Sequence, residues 1–390
     1  MNLQRLKYID NVTEDAVRNG EVSGGTVCIV KDNVEIYRKH FGFADRERQI
    51  VPNNDTIFRM FSMSKPITAV ATLILIERGI LDYNDRVSKY LDGFKNPTVL
   101  DWNTGKGVPT DRELQIRDLL TMTSGIVYPD NWSESCKQMA VLFDKNTELI
   151  KQGKGMSTVE FCNQMGKIPL VCKPNTTWVY GASADVLGAI IEVVSKKSFG
   201  EFLKDEIFTP LGMKDTGFYI PKEKYHRLAQ AYYHDADGNF KIFDFMNLCI
   251  TDYKEPPKFE SGGAGLVSTI DDYQQFIKML LNKGTLNGIR ILGSKSIDLM
   301  RTPYLSKEIM AKKIDNDGYN YGCLVRILED KQVAGTNASI GEFGWDGWLG
   351  TYFNVDLLEN LSVMCFVQEC GIGFSNLARK VRAITYGAID

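Results

Sequence analysis

The sequence predicts an α+β fold. One antiparallel sheet of five or more strands is flanked by helices from the two ends of the chain, and a mostly helical subdomain is inserted between them. Three observations predict it. Strand-like runs lie towards both ends, at 26–40 and 321–367. Amphipathic helical patterns close both termini. The stretch from Leu81 to Gly217 reads almost entirely as helices and loops. Residues 1–80 and 260–390 therefore form the sheet subdomain and 81–259 the helical one, with a site expected in the cleft between them.

The elements follow in order. Leu3, Leu6, Ile9, Val12 and Ala16 recur at helical spacing with charges between them, and Gly20 stops the run. Strand-like residues 26–30 and 34–40 flank Lys31-Asp32-Asn33, which is hairpin turn chemistry. An apolar run at 67–76 follows Pro66 and ends before Gly79. Proline is tolerated only in the first turn of a helix, so this helix begins close to Ser62. Residues 116–120 read as a short helix closed by Thr123-Ser124-Gly125, and 186–194 as an apolar helix. The segment 130–174 is mixed in charge and reads as an irregular lid or wall over a pocket. Residues 321–327 read as one strand, and 352–355 with 361–367 as a hairpin. A last helix runs from an N-cap at Ser375 through Leu377, Val381 and Ile384.

Composition narrows the function classes. The 390 residues are 44% hydrophobic with a net charge of −3. That composition supports a packed core and argues against nucleic acid or an anionic membrane as a partner. The longest apolar run is too short to span a bilayer, and the first helix reads as part of the fold rather than as a signal peptide. The eight cysteines contain no Cys-x-x-Cys pair, so a reduced, cytoplasmic setting is expected. His40, His226 and His234 show no metal-ligand spacing. No metal and no organic cofactor is implied.

The most informative motif is Ser62-Met63-Ser64-Lys65. Residues three apart share a helix face, so a hydroxyl and an amine stand together at a helix N-terminus, where the field favours negative charge. About one Ser-x-x-Lys is expected by chance in a chain of this length, so the weight comes from the setting. A lysine just inside a strongly apolar helix is costly to bury as a cation. It either snorkels outward or gives up its charge in place.

Further segments carry a family resemblance. They are Phe58 to Pro66 around that motif, Ile116 to Gly125, Trp178-Val179-Tyr180-Gly181-Ala182-Ser183, Pro210 to Met213, Gly262 to Thr269, and Phe343-Gly344-Trp345-Asp346-Gly347. In this order they resemble the serine β-lactamase and penicillin-binding-protein superfamily, and within it the class C-like esterases and transesterases. The resemblance covers about 22–367. It implies that Ser62 is the nucleophile, Lys65 its activating partner, and Tyr180 the proton relay to the leaving group and to the deacylating water. It also implies an oxyanion hole made by the backbone N–H groups of Ser62 and Trp348. Glycine at 347 allows a close approach of the backbone to a ligand.

The departures from the family pattern bear on the substrate. Met122 stands where histidine is common. The Tyr-x-Asn element becomes Tyr180-Gly181-Ala182, so the amide that would meet a substrate amide is missing, and Ser183 is out of register. The lysine or histidine that opens the third motif is Trp345, with Asp346 beside it. A substrate carboxylate would meet no cation there and a like charge instead, at a cost of order one kcal/mol or more. Trp345, Asp346, Gly347, Ala182 and Met122 are the expected substrate-facing positions. The reading is a carboxylesterase working through an acyl-enzyme on a small ester or acyl substrate. The competing readings are a β-lactamase or D-stereospecific peptidase or amidase, and an acyltransferase with an alcohol or amine acceptor. A non-catalytic ligand sensor is the third, and intact Ser62, Lys65 and Tyr180 stand against it.

Overall fold

A computed structural model describes residues 1–244, 246–313 and 317–390. The sheet has seven strands: β1 (Gly24–Lys31), β2 (Val34–Gly42), β3 (Tyr319–Tyr321), β4 (Arg326–Leu328), β5 (Phe343–Asp346), β6 (Tyr352–Val355) and β7 (Leu361–Val367). Their order is β3-β4-β5-β6-β7-β1-β2, and every adjacent pair is antiparallel. The join between the two ends of the chain is β1 on β7, with Val27 opposite Cys365 and Ile29 opposite Val363. The β1–β2 turn places Asp32 and Asn33 at φ +53° and +62°, the left-handed pair that a two-residue hairpin of matching twist requires.

Alternation along the strands divides the apolar interior into two layers. Val27, Ile29, Val363 and Cys365 pack with Leu377 and Val381 of the C-terminal helix, Asn376–Tyr386, and with Ile9 and Ala16 of the N-terminal helix, α1 (Tyr8–Arg18). Cys28, Val30, Met364 and Phe366 face the opposite way, into a core shared with α2 (Ser64–Glu77), with helix Ile270–Leu281 and with the helical block. Helices cover both faces, so the central strands are apolar throughout.

Two segments differ from expectation. Residues 321–327 are not one strand but the end of β3, a turn and the start of β4. Gly322 N–H donates to Val325 O at 2.9 Å, and Leu324 takes φ +55°. The turn is fixed from outside, because Leu324 N–H donates to Leu120 O and Cys323 N–H to Met300 O. Such tertiary bonds leave no local signal in an apolar run.

The segment 130–174 is not irregular. It holds α4 (Glu134–Lys151) and α5 (Thr158–Met165), after the short α3 (Ile116–Leu120). Ser133 Oγ caps α4 by accepting from Cys136 N–H, and Ser157 with Glu160 forms a capping box on α5. Cys136, Met139 and Phe143 form a narrow buried stripe, and Phe143 meets Phe161 edge-on at 4.9 Å. Surrounding charges hide that stripe in the sequence. Next comes α6 (Ser183–Ser195), whose residues Ser183 to Ile191 are all buried. Among the described residues no helix is long and apolar enough to cross a membrane.

Candidate active site

A short strand, Ile57–Arg59, pairs with Val267–Thr269 and delivers the chain to Ser62. Phe61 then takes φ +45°, a left-handed conformation that costs a non-glycine residue about 1–3 kcal/mol. A single 3-10 turn, Phe61–Met63, runs straight into α2. The bend leaves Ser62 half-buried while Phe61 and Met63 are closed to solvent.

Lys65 stays inside. It has no exposed surface, and its Nζ lies 3.1 Å from Ser62 Oγ, 3.1 Å from the Tyr128 hydroxyl and 2.7 Å from Gly263 O. An ammonium has three donors and no acceptor, so three acceptors match it in full. The Tyr180 hydroxyl lies 2.6 Å from Ser62 Oγ. Lys65 Nζ sits between two aromatic faces, 4.7 Å from the Tyr180 ring centre and 5.2 Å from that of Tyr128. The structure therefore brings Ser62, Lys65 and Tyr180 together.

Behind them lies a layer that the sequence reading missed. The Tyr128 hydroxyl and the Asp185 carboxylate both lie beside Gly263. Asp185 Oδ1 accepts from Ser261 Oγ at 2.5 Å and from Gly263 N–H at 3.1 Å. Burial first, and then the Asp185 charge, hold the Tyr128 hydroxyl well above the usual phenol range. Burial pushes the Asp185 carboxyl up, while Ser261, Lys65 and the Gly263 amide pull it down. Glycine is required at 263, since a Cβ there would lie 2.4 Å from the Tyr128 hydroxyl and 2.8 Å from Asp185 Oδ2. The signals were weak. Tyr128 follows the Thr123-Ser124-Gly125 turn by three residues, and Asp185 is one acid in the first turn of an apolar helix, which reads as ordinary capping.

The third motif closes the other side. A Cβ on Gly347 would fall 2.3 Å from Met60 O. In the structure this glycine allows a close approach to the backbone leading into Ser62. Thr351 Oγ1 donates to the same carbonyl at 3.2 Å. The Trp348 ring rests on Phe61, with centres 5.4 Å apart. The backbone N–H groups of Ser62 and Trp348 have no acceptor among the described residues.

Asp346 is not an open negative charge, because it forms an ion pair with Arg326 on the neighbouring strand. That corrects the like-charge part of the expectation. Trp345 belongs to an aromatic wall, 5.8 Å from the Tyr180 ring and 5.2 Å from that of Tyr321. Trp178 completes it, 5.4 Å from Tyr321. Met122 and Ala182 are fully buried, so their side chains pack beneath the site and do not line it. The Met122 carbonyl accepts from Val179 N–H at 2.8 Å and so steadies the loop that carries Tyr180. Ser183 Oγ bonds Ser124 Oγ at 2.8 Å and is fully buried.

An α+β frame with Ser, Lys and Tyr converging at the start of a buried helix is the arrangement of a class of serine enzyme. The family model described as Beta-lactamase matches residues 9–381, and the chain belongs to that family. Esterase EstB of Burkholderia gladioli is 26% identical, over 94% of this chain and 91% of its own. Monacolin J acid methylbutanoyltransferase of Aspergillus terreus is 28% identical, over 69% of this chain and 63% of its own. Among solved structures, EstCE1, a hydrolase with promiscuous acyltransferase activity, matches with a TM-score of 0.85 at 25% identity, over 99% of both chains.

Proposed function

We propose that the protein is a serine hydrolase that cleaves small carboxylic esters through an acyl-enzyme on Ser62. The observation that carries the reading is the pair of contacts at Ser62 Oγ: 2.6 Å to the Tyr180 hydroxyl and 3.1 Å to Lys65 Nζ. Ser62 Oγ attacks the ester carbonyl as its proton leaves towards Tyr180 and Lys65. The carbonyl oxygen, now an anion, lies against the free amides of Ser62 and Trp348, where one such donor contributes about 3–4 kcal/mol. The leaving alcohol takes up the proton, and water then attacks the acyl-enzyme by the same route.

The aromatic wall of Trp178, Tyr321 and Trp345 suits a neutral or apolar acyl group. The third motif itself supplies no cation for a carboxylate. The site is read as a cleft between residues 1–80 with 260–390 and residues 81–259. The eight free cysteines fit a reduced cytoplasm.

A fluorophosphonate probe should label the wild type and spare Ser62→Ala. p-Nitrophenyl esters of rising chain length should be hydrolysed far faster than nitrocefin. Comparable rates on nitrocefin would reverse the order of the readings. Acyl transfer is the second reading, favoured by the similarity to EstCE1 and to the methylbutanoyltransferase. Faster p-nitrophenol release on adding an alcohol, with a new ester formed in place of free acid, would select it.

A further inference from the structure

A second cavity, of about 320 Å³, lies beside the residues that lead into Ser62. Arg59, Phe61, Ile250 and Tyr253 line it, together with Asp244 and Asp252. Ser62, Lys65 and Tyr180 are not among its lining residues, so it is a place apart from the proposed catalytic one. Phe61 is the wall between the two regions, since it precedes Ser62 in the chain and its ring rests on Trp348.

Two polar groups of this cavity are short of partners. Arg59 is half-buried, and its guanidinium carries five donors. Its one acceptor among the described residues is Ala229 O, at 2.6 Å from Nη1, and it forms no ion pair there. Burial lowers its pKa from the ordinary value, the mark of a cation that has lost water without gaining a carboxylate. The guanidinium carbon lies 5.9 Å from the Tyr253 ring centre. Tyr253 is 2% exposed, and its hydroxyl has no hydrogen-bond partner among the described residues. Both groups donate, so an oxyanion satisfies them together. Neither acid meets that need: Asp252 is paired with Lys254 at 2.7 Å, and Asp244 is exposed. Leu248, Cys249 and Tyr253 take φ of +51°, +58° and +64°, strain of the kind that gathers at ligand clamps.

We propose that this cavity binds a small organic carboxylate, with its oxygens on the Arg59 guanidinium and the Tyr253 hydroxyl and its apolar tail against Phe61 and Ile250. The planar fork of an arginine matches the two oxygens of a carboxylate. The volume is at the small end of the range for ligand pockets, which suits a short-chain acid. The site is non-covalent and stands whether or not Ser62 is the nucleophile.

The test is calorimetric titration of the full chain with sodium butyrate, at an ionic strength held constant with sodium chloride. Binding should saturate in the millimolar range and keep its affinity in protein whose Ser62 carries a fluorophosphonate adduct. Arg59→Met should weaken it by at least about tenfold, as the loss of a charged two-oxygen contact. Tyr253→Phe keeps the ring and deletes the hydroxyl, and should weaken binding about threefold or more. It also decides the matter if Arg59→Met fails to fold. n-Butylamine should bind at least about tenfold more weakly than butyrate. Equal binding of the amine would assign the cavity to Asp244 and Asp252 and overturn the proposal. So would an absence of saturable binding, an affinity unchanged in both variants, or binding abolished by the Ser62 adduct, which would put the acid in the catalytic site. Protein that takes up no adduct would overturn the nucleophile reading alone, and the two variants would still decide this one.

Discussion

Two regions meet at Ser62 and differ in how their polar atoms are satisfied. On the lysine side, Lys65, Tyr128, Asp185, Ser261 and Gly263 bond one another in a closed, buried set. On the aromatic side, Trp178 Nε1, the Tyr321 hydroxyl and Arg326 Nη2 are buried without a hydrogen-bond partner among the described residues. A satisfied polar network in a low-dielectric interior is rigid and directional. An aromatic wall is held by ring packing, at about 0.5–1.5 kcal/mol per pair beyond burial, and tolerates unmet donors at about 1–3 kcal/mol each. The first arrangement holds the Lys65 amine in one place beside Ser62. The second shapes what can lie beside them and can change without disturbing the chemistry.

That contrast predicts an ordering of effects. Ser62→Ala should remove turnover by at least about a thousandfold and abolish probe labelling, since covalent catalysis has no substitute in the site. Tyr180→Phe keeps the ring in the wall and deletes only the hydroxyl at 2.6 Å. Ester turnover should fall on the order of a hundredfold or more, the usual size of a proton-transfer contribution. Full activity in Tyr180→Phe would show that the hydroxyl takes no part in the proton transfer and that Tyr180 belongs to the wall alone. Gly347→Ala should cost a similar factor for a purely geometric reason. The new methyl meets Met60 O at 2.3 Å and pushes the Trp348 amide away from Ser62. The loss should fall on kcat and leave KM nearly unchanged.

The two regions were not equally legible in the sequence. Ser62 and Lys65 declare themselves through local spacing, because a helix puts residues three apart side by side and Pro66 marks where that helix starts. The sheet was legible as well, since apolar strands near both ends of one chain have few other ways to be covered. Tyr128 and Asp185 were not. Their place behind Lys65 comes from the Gly263 segment crossing the start of α2, a contact between residues nearly two hundred positions apart. Trp345 was legible as a substitution at a known motif, whereas the charge on Asp346 was misjudged, because the Arg326 that neutralises it sits on another strand. The helix α4 was missed for a different reason: its buried stripe is about one residue wide among charges.

Trp345→Lys tests whether the wall selects substrate. It places a cation at the opening of the third motif, in reach of the Tyr180 ring face. The ratio of kcat/KM for nitrocefin to that for a neutral ester should rise about tenfold, as one partly screened charge contact is worth about 1.4 kcal/mol. An unchanged ratio would move the selection to some other part of the site.

The smallest effect is the most direct test of the contrast. Tyr321 is 2% exposed, and its ring packs on both Trp178 and Trp345. Its hydroxyl has no hydrogen-bond partner among the described residues. Tyr321→Phe removes that oxygen and keeps the ring, so a buried, unmet donor disappears while the packing stays. The variant should gain up to about 1 kcal/mol of stability. In a chain of this length that is a rise of about 1–2 °C in the thermal midpoint. Ser62 labelling should proceed at the wild-type rate, because the oxygen touches none of the proton-carrying groups. A midpoint that falls instead would show the hydroxyl to be bonded in solution. The wall would then be as fully satisfied as the lysine side, and the difference between the two regions would lie in their chemistry alone.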